Sequence, residues 1–287
     1  MPRLLVAMFL MAAALGGTAC KESPTPDRKR GAVESPPTSS PDSKPGTTFE
    51  DNSPSPKSTD IKPSAEVYDD FYFCYLRTGP LSDSLSDKAR KNAGSGHFSN
   101  MKRMAGAGDL LLAGPYDEGR PNLEDRGIFI FDTPKLEKAQ TLAASDPGVL
   151  AGMFKFELVP VQCLRALRKV NDWHVAGTKK SGGGRGYVRP YVLLEFIWSR
   201  SSSSHEVLGR GFSGFSKLWD DDKVLLAGRF GDKYPGKFFV VLDATTIAAA
   251  KEMMTASKAN ESIIRPVYFP WYATKALTLI PGQLKAK

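Results

Sequence analysis

The chain has 287 residues, 41% hydrophobic and 10% aromatic, enough apolar surface for one or two ordinary globular domains. Its 39 Lys and Arg against 31 Asp and Glu give a net charge of +8, a modest excess over that length. A solvated basic face accounts for it; the excess also suits an acidic ligand or an anionic surface, but it is too small and scattered to argue for nucleic acid.

Residues 1–19, MPRLLVAMFLMAAALGGTA, place Arg3 before an apolar run from Leu4 to Leu15 and close on small residues. That is the layout of a secretory signal, and the run is short for a spanning helix. The stretch GTAC, ending at Cys20, resembles a bacterial lipobox, although Gly17 stands where Leu is usual. The resemblance implies cleavage before Cys20, acylation of that cysteine and anchoring of the protein to a membrane of the bacterial cell envelope through its N-terminal lipid. An ordinary signal peptide cleaved nearby is the alternative. Lys21 does not settle which membrane holds the lipid. Residues 20–65 then read as a disordered tether. Positions 21–65 hold nine of the 21 prolines and nine serines, and their seven basic and seven acidic side chains cancel. Such a segment cannot bury enough surface to offset its ordering entropy. The RKR at 28–30 is too short for a nucleic-acid arm, and export argues against one.

From residue 66 the chain divides into 66–177 and 187–287, on either side of a Gly-rich joint, TKKSGGGRG, at 178–186. The two parts repeat one order of features. Each opens on an aromatic and β-branched strand, FYFCYL (71–76) and YVLLEFIW (191–198). An amphipathic helix follows, with Phe98, Met101 and Met104 at helical spacing in the first part and Phe212, Phe215 and Leu218 in the second. Then DLLLAGPY (109–116) answers KVLLAGRF (223–230), and GIFIFD (127–132) answers FFVVLD (238–243). Helices PKLEKAQTLAAS and ATTIAAAKEMMTAS come next, and each part ends on a proline-broken strand, FKFELVPVQC (154–163) and VYFPWYA (267–273). Pro160 aligns with Pro270 and Leu167 with Leu277, a spacing of about 110 residues that indicates duplication.

Each part therefore reads β-α-β-β-α-β, the ferredoxin-like plan. One such sheet carries helices on one face and leaves the other needing cover. The expectation is an α+β protein of two ferredoxin-like repeats, packed sheet to sheet as an intrachain pseudo-dimeric α/β barrel, monomeric because each repeat is the other's partner. In that order the first and last strands of a repeat are antiparallel neighbours. A disulfide between Cys74, in the first strand, and Cys163, at the end of the last, is compatible with this geometry.

The segments GHFSNMKRMAGAGDLLLAGP (96–115) and LEKAQTLAASDPGVLAGMFKFELVPV (136–161) resemble the YCII-related family of the dimeric α/β barrel superfamily. The match covers most of 66–163, and the second part resembles the family only in outline. A His opening the first helix and an Asp-Pro after the second helix carry the likeness. What it implies is a His–Asp dyad in a pocket beside the sheet, here His97 and Asp146. An imidazole titrates near neutrality, and a carboxylate on one ring nitrogen fixes its tautomer. From the residues alone, His97 equally starts a helix and Asp146 equally caps the turn before Pro147. In the second part the alignment places Gly211 and Ser257 at these positions, so at most one of two pockets is equipped.

The other candidates carry less. His205 lies in a polar Ser-rich loop, and His174 beside Trp173 reads as packing. Three His without nearby Cys or Asp give no metal site, GGGRG lacks the Lys and Ser/Thr of a phosphate loop, and nothing calls for a cofactor. Glu157 and Glu195 alternate with apolar neighbours, which fits an inter-sheet cavity or the solvated face equally. Trp271 and Tyr272 fit a pocket wall or a packed core edge. Two functions follow: a small envelope enzyme using His97 and Asp146 on an acidic or carbonyl-bearing molecule, or a lipoprotein that binds a ligand or partner without chemistry.

Overall fold

The structure, a computed structural model, describes residues 68–182, 184–198, 215–231 and 233–285. The expected signal, the tether with Cys20 and the segment holding His205, Gly211 and Phe212 lie outside the described residues.

The first part begins with β1 (Tyr68–Thr78), whose aromatic run from Phe71 to Leu76 is buried on both faces. Helix α1 (Asp87–Ala107) follows, its first turn capped by the Ser86 hydroxyl, which accepts from Ala89 N, and its end set by Gly108 in the left-handed region. Then come β2 (Leu110–Pro115), β3 (Asp125–Phe131), α2 (Leu136–Ala144), the single turn α3 (Pro147–Leu150) and β4 (Phe154–Leu164). After α4 (Val170–Lys180) the second part gives β5 (Val188–Trp198), α5 (Ser216–Asp220), β6 (Val224–Phe230), β7 (Lys237–Leu242), α6 (Ile247–Ala256), β8 (Ile263–Thr274) and α7 (Ile280–Lys285). No described helix is long and apolar enough to cross a membrane.

The protein is α+β. The eight strands of the described residues form one antiparallel sheet in the order β2-β3-β1-β4-β6-β7-β5-β8. The two four-stranded groups are thus hydrogen-bonded edge to edge, where the sequence suggested separate sheets laid face to face. Joining edges removes the unpaired N–H and C=O groups that two free sheets would each expose. The joined sheet curls until its outer strands meet: Tyr116 bridges Trp271, Asp117 N donates to Pro270 O at 2.8 Å, and Trp271 Nε1 donates to Gly114 O at 3.0 Å. Gly114 is required there, since a Cβ would stand 1.9 Å from Tyr272 O.

The pairing registers of the two parts match. Tyr72 sits between Phe131 and Pro160, and Val192 between Leu242 and Pro270. Both β2–β3 and β6–β7 shift register after their first pair, at Leu110/Leu112 and Val224/Leu226. The two seams also correspond, with Val161 opposite Phe230 and Gly231 N donating to Pro160 O at 2.8 Å. Pro160 and Pro270 lack an N–H, and at the seams each supplies only its carbonyl. The inner face packs around Phe73, Phe230 and Phe239, with ring centroids 5.3–5.6 Å apart. A separate cluster lies under α1 and α2, built on Cys74, Met101, Met104, Phe129 and Phe131.

The Gly-rich joint begins later than its composition suggests. Thr178 to Lys180 belong to α4, and Gly184–Tyr187 form one 3-10 turn leading into β5. Val170, His174 and Thr178 are buried at every fourth position, and that stripe carries the helix through the boundary placed at 177.

Candidate functional site

His97 and Asp146 meet. His97 lies midway along α1, one residue after Gly96, whose absent Cβ lets the helix close on α3; a Cβ there would stand 2.7 Å from Pro147 Cβ. Asp146 precedes α3 with extended backbone, and Pro147 supplies the first helical position with its φ already set. Its Oδ1 accepts from Gly148 N at 2.8 Å, while Oδ2 lies 2.9 Å from His97 Nδ1. The two readings of Asp146 are therefore one structure: the residue caps the turn with one oxygen and holds the imidazole with the other.

The electrostatics fix the tautomer. Asp146 is fully buried, and burial alone would raise its carboxyl. The hydrogen bond and charge of His97, with the Gly148 N–H and Asn100, outweigh that and hold it below the usual carboxylate range. An ionised carboxylate only accepts, so Nδ1 carries the proton and donates it, and neutral His97 is left with Nε2 as an acceptor. Nε2 has no hydrogen-bond partner among the described residues. The ring is held by aromatic neighbours: Phe129 stacks on it at 5.7 Å, and Phe98 and Phe154 meet it edge-on at 5.4 and 5.1 Å. His97 keeps 12% of its side chain open to solvent. The arrangement can take a proton at Nε2 and return it, in a mostly apolar setting.

Two supporting residues are not among those the sequence singles out. Asn100, one turn after His97, reaches Asp146 Oδ2 at 3.5 Å through Nδ2 and accepts Arg103 Nη2 at 2.8 Å on Oδ1. Their spacing of three along α1 was the available signal. A polar residue on a helix reads by default as solvated, and Asn100 is buried.

Cys74 and Cys163 do not form a disulfide. Both are free and buried; Cys163 is paired opposite Asp69 and Cys74 opposite Leu158. Alternation along the strands sends Cys74 into the cluster beneath α1, whereas Cys163 points inward and donates from Sγ to Ala227 O at 3.2 Å. Burial pushes the Cys163 thiol up to about 12 and raises Cys74 as well.

His174 is buried, its Nδ1 2.8 Å from Thr274 Oγ1 and its ring edge-on to Tyr187; burial lowers its pKa. It joins α4 to the end of β8. Trp271 is wholly buried at the closing seam, and Tyr272 is half-buried. Glu157 and Glu195 both point to the inner face, where tyrosines meet them. The matching turn of the second part differs from the alignment at one place. Ser257 and Ser145 each end a helix, and each donates from Oγ to the carbonyl three residues back, Met254 O and Leu142 O. Ser257 therefore stands where Ser145 does, and Lys258, in the left-handed region, follows where the first part has Asp146.

No family model matches the chain, and no curated protein matches it.

Proposed function

We propose that the protein is an envelope lipoprotein, anchored to a membrane through acylated Cys20, whose YCII-like domain uses His97 and Asp146 for acid–base chemistry on a small carbonyl-bearing or acidic molecule. One observation carries the catalytic reading: Asp146 is a buried carboxylate that has spent one oxygen on its turn and the other on His97 Nδ1, which leaves Nε2 of a partly exposed imidazole without a partner among the described residues. A carboxylate placed so keeps the proton on Nδ1 and leaves Nε2 as the free acceptor, suited to abstract a proton or activate water. Phe98, Phe129 and Phe154 around the ring favour a substrate with an apolar body.

The fold reading is that the two parts are copies of one ferredoxin-like unit, paired within a chain as a dimeric α/β barrel pairs two chains. The matching registers, the shared shift in β2 and β6, and the corresponding seams support it. On this reading one chain forms the whole barrel and needs no second copy.

Turnover is tested by offering small lactones, esters and β-keto acids to the wild-type protein, His97→Ala and Asp146→Asn. The expected result is turnover in the wild type, with losses of about a hundredfold or more in both variants. Turnover that survives both substitutions removes the catalytic reading. Anchoring is tested separately: wild type takes up labelled fatty acid and partitions with membranes, and Cys20→Ser does neither.

A further inference from the structure

The inner face of the sheet, on the side away from His97, carries a second polar set. Successive residues of β1 point opposite ways, so Cys74 lies beneath α1 and Tyr75 faces the interior. The Tyr75 hydroxyl donates to Glu195 Oε1 at 2.7 Å. Lys237 Nζ pairs with Glu195 Oε2 at 2.7 Å and reaches the Tyr75 hydroxyl at 3.4 Å. Beside them Arg77 donates from Nε to Asp125 Oδ1 at 3.1 Å and from Nη1 to Glu157 Oε2 at 2.8 Å, and the Tyr234 hydroxyl donates to Glu157 Oε1.

Tyr116 belongs to this set and is the exception in it. Its ring stacks on Phe269 at 4.7 Å, the residue is 6% exposed, and its buried hydroxyl has no partner among the described residues. Burial, then the charges of Glu195 and Asp125, raise the phenol well above its ordinary range, so it remains a donor. A buried hydroxyl without a partner is destabilising, and interior ion pairs are often no better than apolar packing. The fold gains little from either. The set is also graded in depth, with Arg77 and Lys237 36% and 29% exposed at the rim and Glu195 and Tyr116 nearly closed off below. A ligand would enter at the rim and end at the unpartnered hydroxyl.

We propose that this interior end of the sheet is a binding site, separate from the His97–Asp146 pair, for a small uncharged molecule that presents a carbonyl oxygen to Tyr116 and a flat apolar body to the surrounding rings. The carbonyl follows from the unspent donor. The neutral charge follows from the balance already present: Asp125, Glu157 and Glu195 face Arg77, Lys237 and Lys233, the last 4.0 Å from Glu157. A charged ligand would leave one unit uncompensated in a mostly dry place. The flat body suits Tyr75, Phe230 and Phe269.

Benzamide tests the proposal, with benzoate as its charged counterpart, by calorimetric titration of the wild type, Tyr116→Phe and His97→Ala. Benzamide is expected to bind the wild type saturably and benzoate more weakly. Tyr116→Phe weakens benzamide by about five- to tenfold, the loss of one neutral hydrogen bond, while His97→Ala leaves it unchanged. Because Tyr116→Phe removes only an unpartnered group, it should unfold at or above the wild-type temperature, so weaker binding is not a folding defect. Three results each overturn the proposal: no saturable benzamide heat up to millimolar concentration, as for a site that holds water only; equal affinity in wild type and Tyr116→Phe; or loss of binding in His97→Ala, which would place the ligand at the other site. None of them bears on turnover at His97.

Discussion

The two parts of the chain share their strand pairing and differ in their chemistry. Tyr72 and Val192 hold the same place between neighbours, and both seams use a proline carbonyl in the same way. Between α2 and β4, however, the first part has Asp146, Pro147 and a helical turn packed against α1, whereas the second has Lys258 in the left-handed region and a 3-10 turn. The second part supplies its four strands to the one closed sheet with Lys258 standing where the first has Asp146. The interior differs too. Tyr75 and Glu195 hold corresponding places, Tyr75 between Ile128 and Glu157 and Glu195 between Phe239 and Val267, and one donates to the other. Identical copies would set tyrosine against tyrosine or carboxylate against carboxylate. Here the two places are complementary, which ties each part to the other.

The sharpest way to break this comparison is at the seams. The β4–β6 seam has three successive pairs, and β2–β8 has one bridge that depends on Gly114. Gly114→Val drives a side chain into Tyr272 O and should cost on the order of 3 kcal/mol, lowering the denaturation midpoint with a smaller change in slope. Gly106→Val, where a Cβ meets nothing within 4 Å, should cost far less because it touches no seam. Equal losses in the two variants would show that the closing bridge adds no stability of its own.

The next largest contrast lies between the two turns. Asp146→Ala removes the cap on Gly148 N and leaves His97 Nδ1 without its acceptor, so a loss of about 1–2 kcal/mol is expected in urea unfolding. Ser257→Ala loses its hydrogen bond to Met254 O and a long 3.4 Å contact to Ala259 N, and should cost less, about 0.5 kcal/mol. The acid dependence follows with the same sign. The folded carboxyl of Asp146 titrates below its unfolded value, so its contribution is complete above about pH 4 and is lost as pH falls through the folded value. The stability difference between wild type and Asp146→Asn should shrink as the pH falls below about 4. A difference that grows as the pH falls from about 4 to about 2 would mean that Asp146 is held neutral in the folded protein.

What the sequence made legible follows the periodicity of each segment. Strand and helix order could be read because the aromatic runs and the amphipathic stretches differ in period. The facing of side chains could not. FYFCYL is apolar throughout and buried on both sides, so nothing in it tells Cys74 from Tyr75. The same uncertainty left Glu157 and Glu195 undecided between cavity and solvent, and it is why the interior polar set had no sequence sign. His97 and Asp146 stand 49 positions apart, and only the likeness to a family joined them beforehand. Asn100 escaped notice as an ordinary polar helix residue. The edge-to-edge seams depend on pairing between β4 and β6, which no local pattern specifies.

The smallest expected effect concerns the two thiols, and it sharpens the same point about faces. A disulfide would bind β1 to β4 inside the first part alone and so make the two parts unequal in stability. With Cys74 outward and Cys163 inward there is no bond to reduce, so adding dithiothreitol should leave the unfolding temperature unchanged within error. Both thiols are buried and raised by burial, so a chromogenic disulfide reagent at pH 8 should find neither in the folded domain and both after denaturation. A fall of several degrees on reduction would instead require the two strands to shift register, bringing Cys163 beside Cys74 and carrying the Tyr75–Glu195 contact with them.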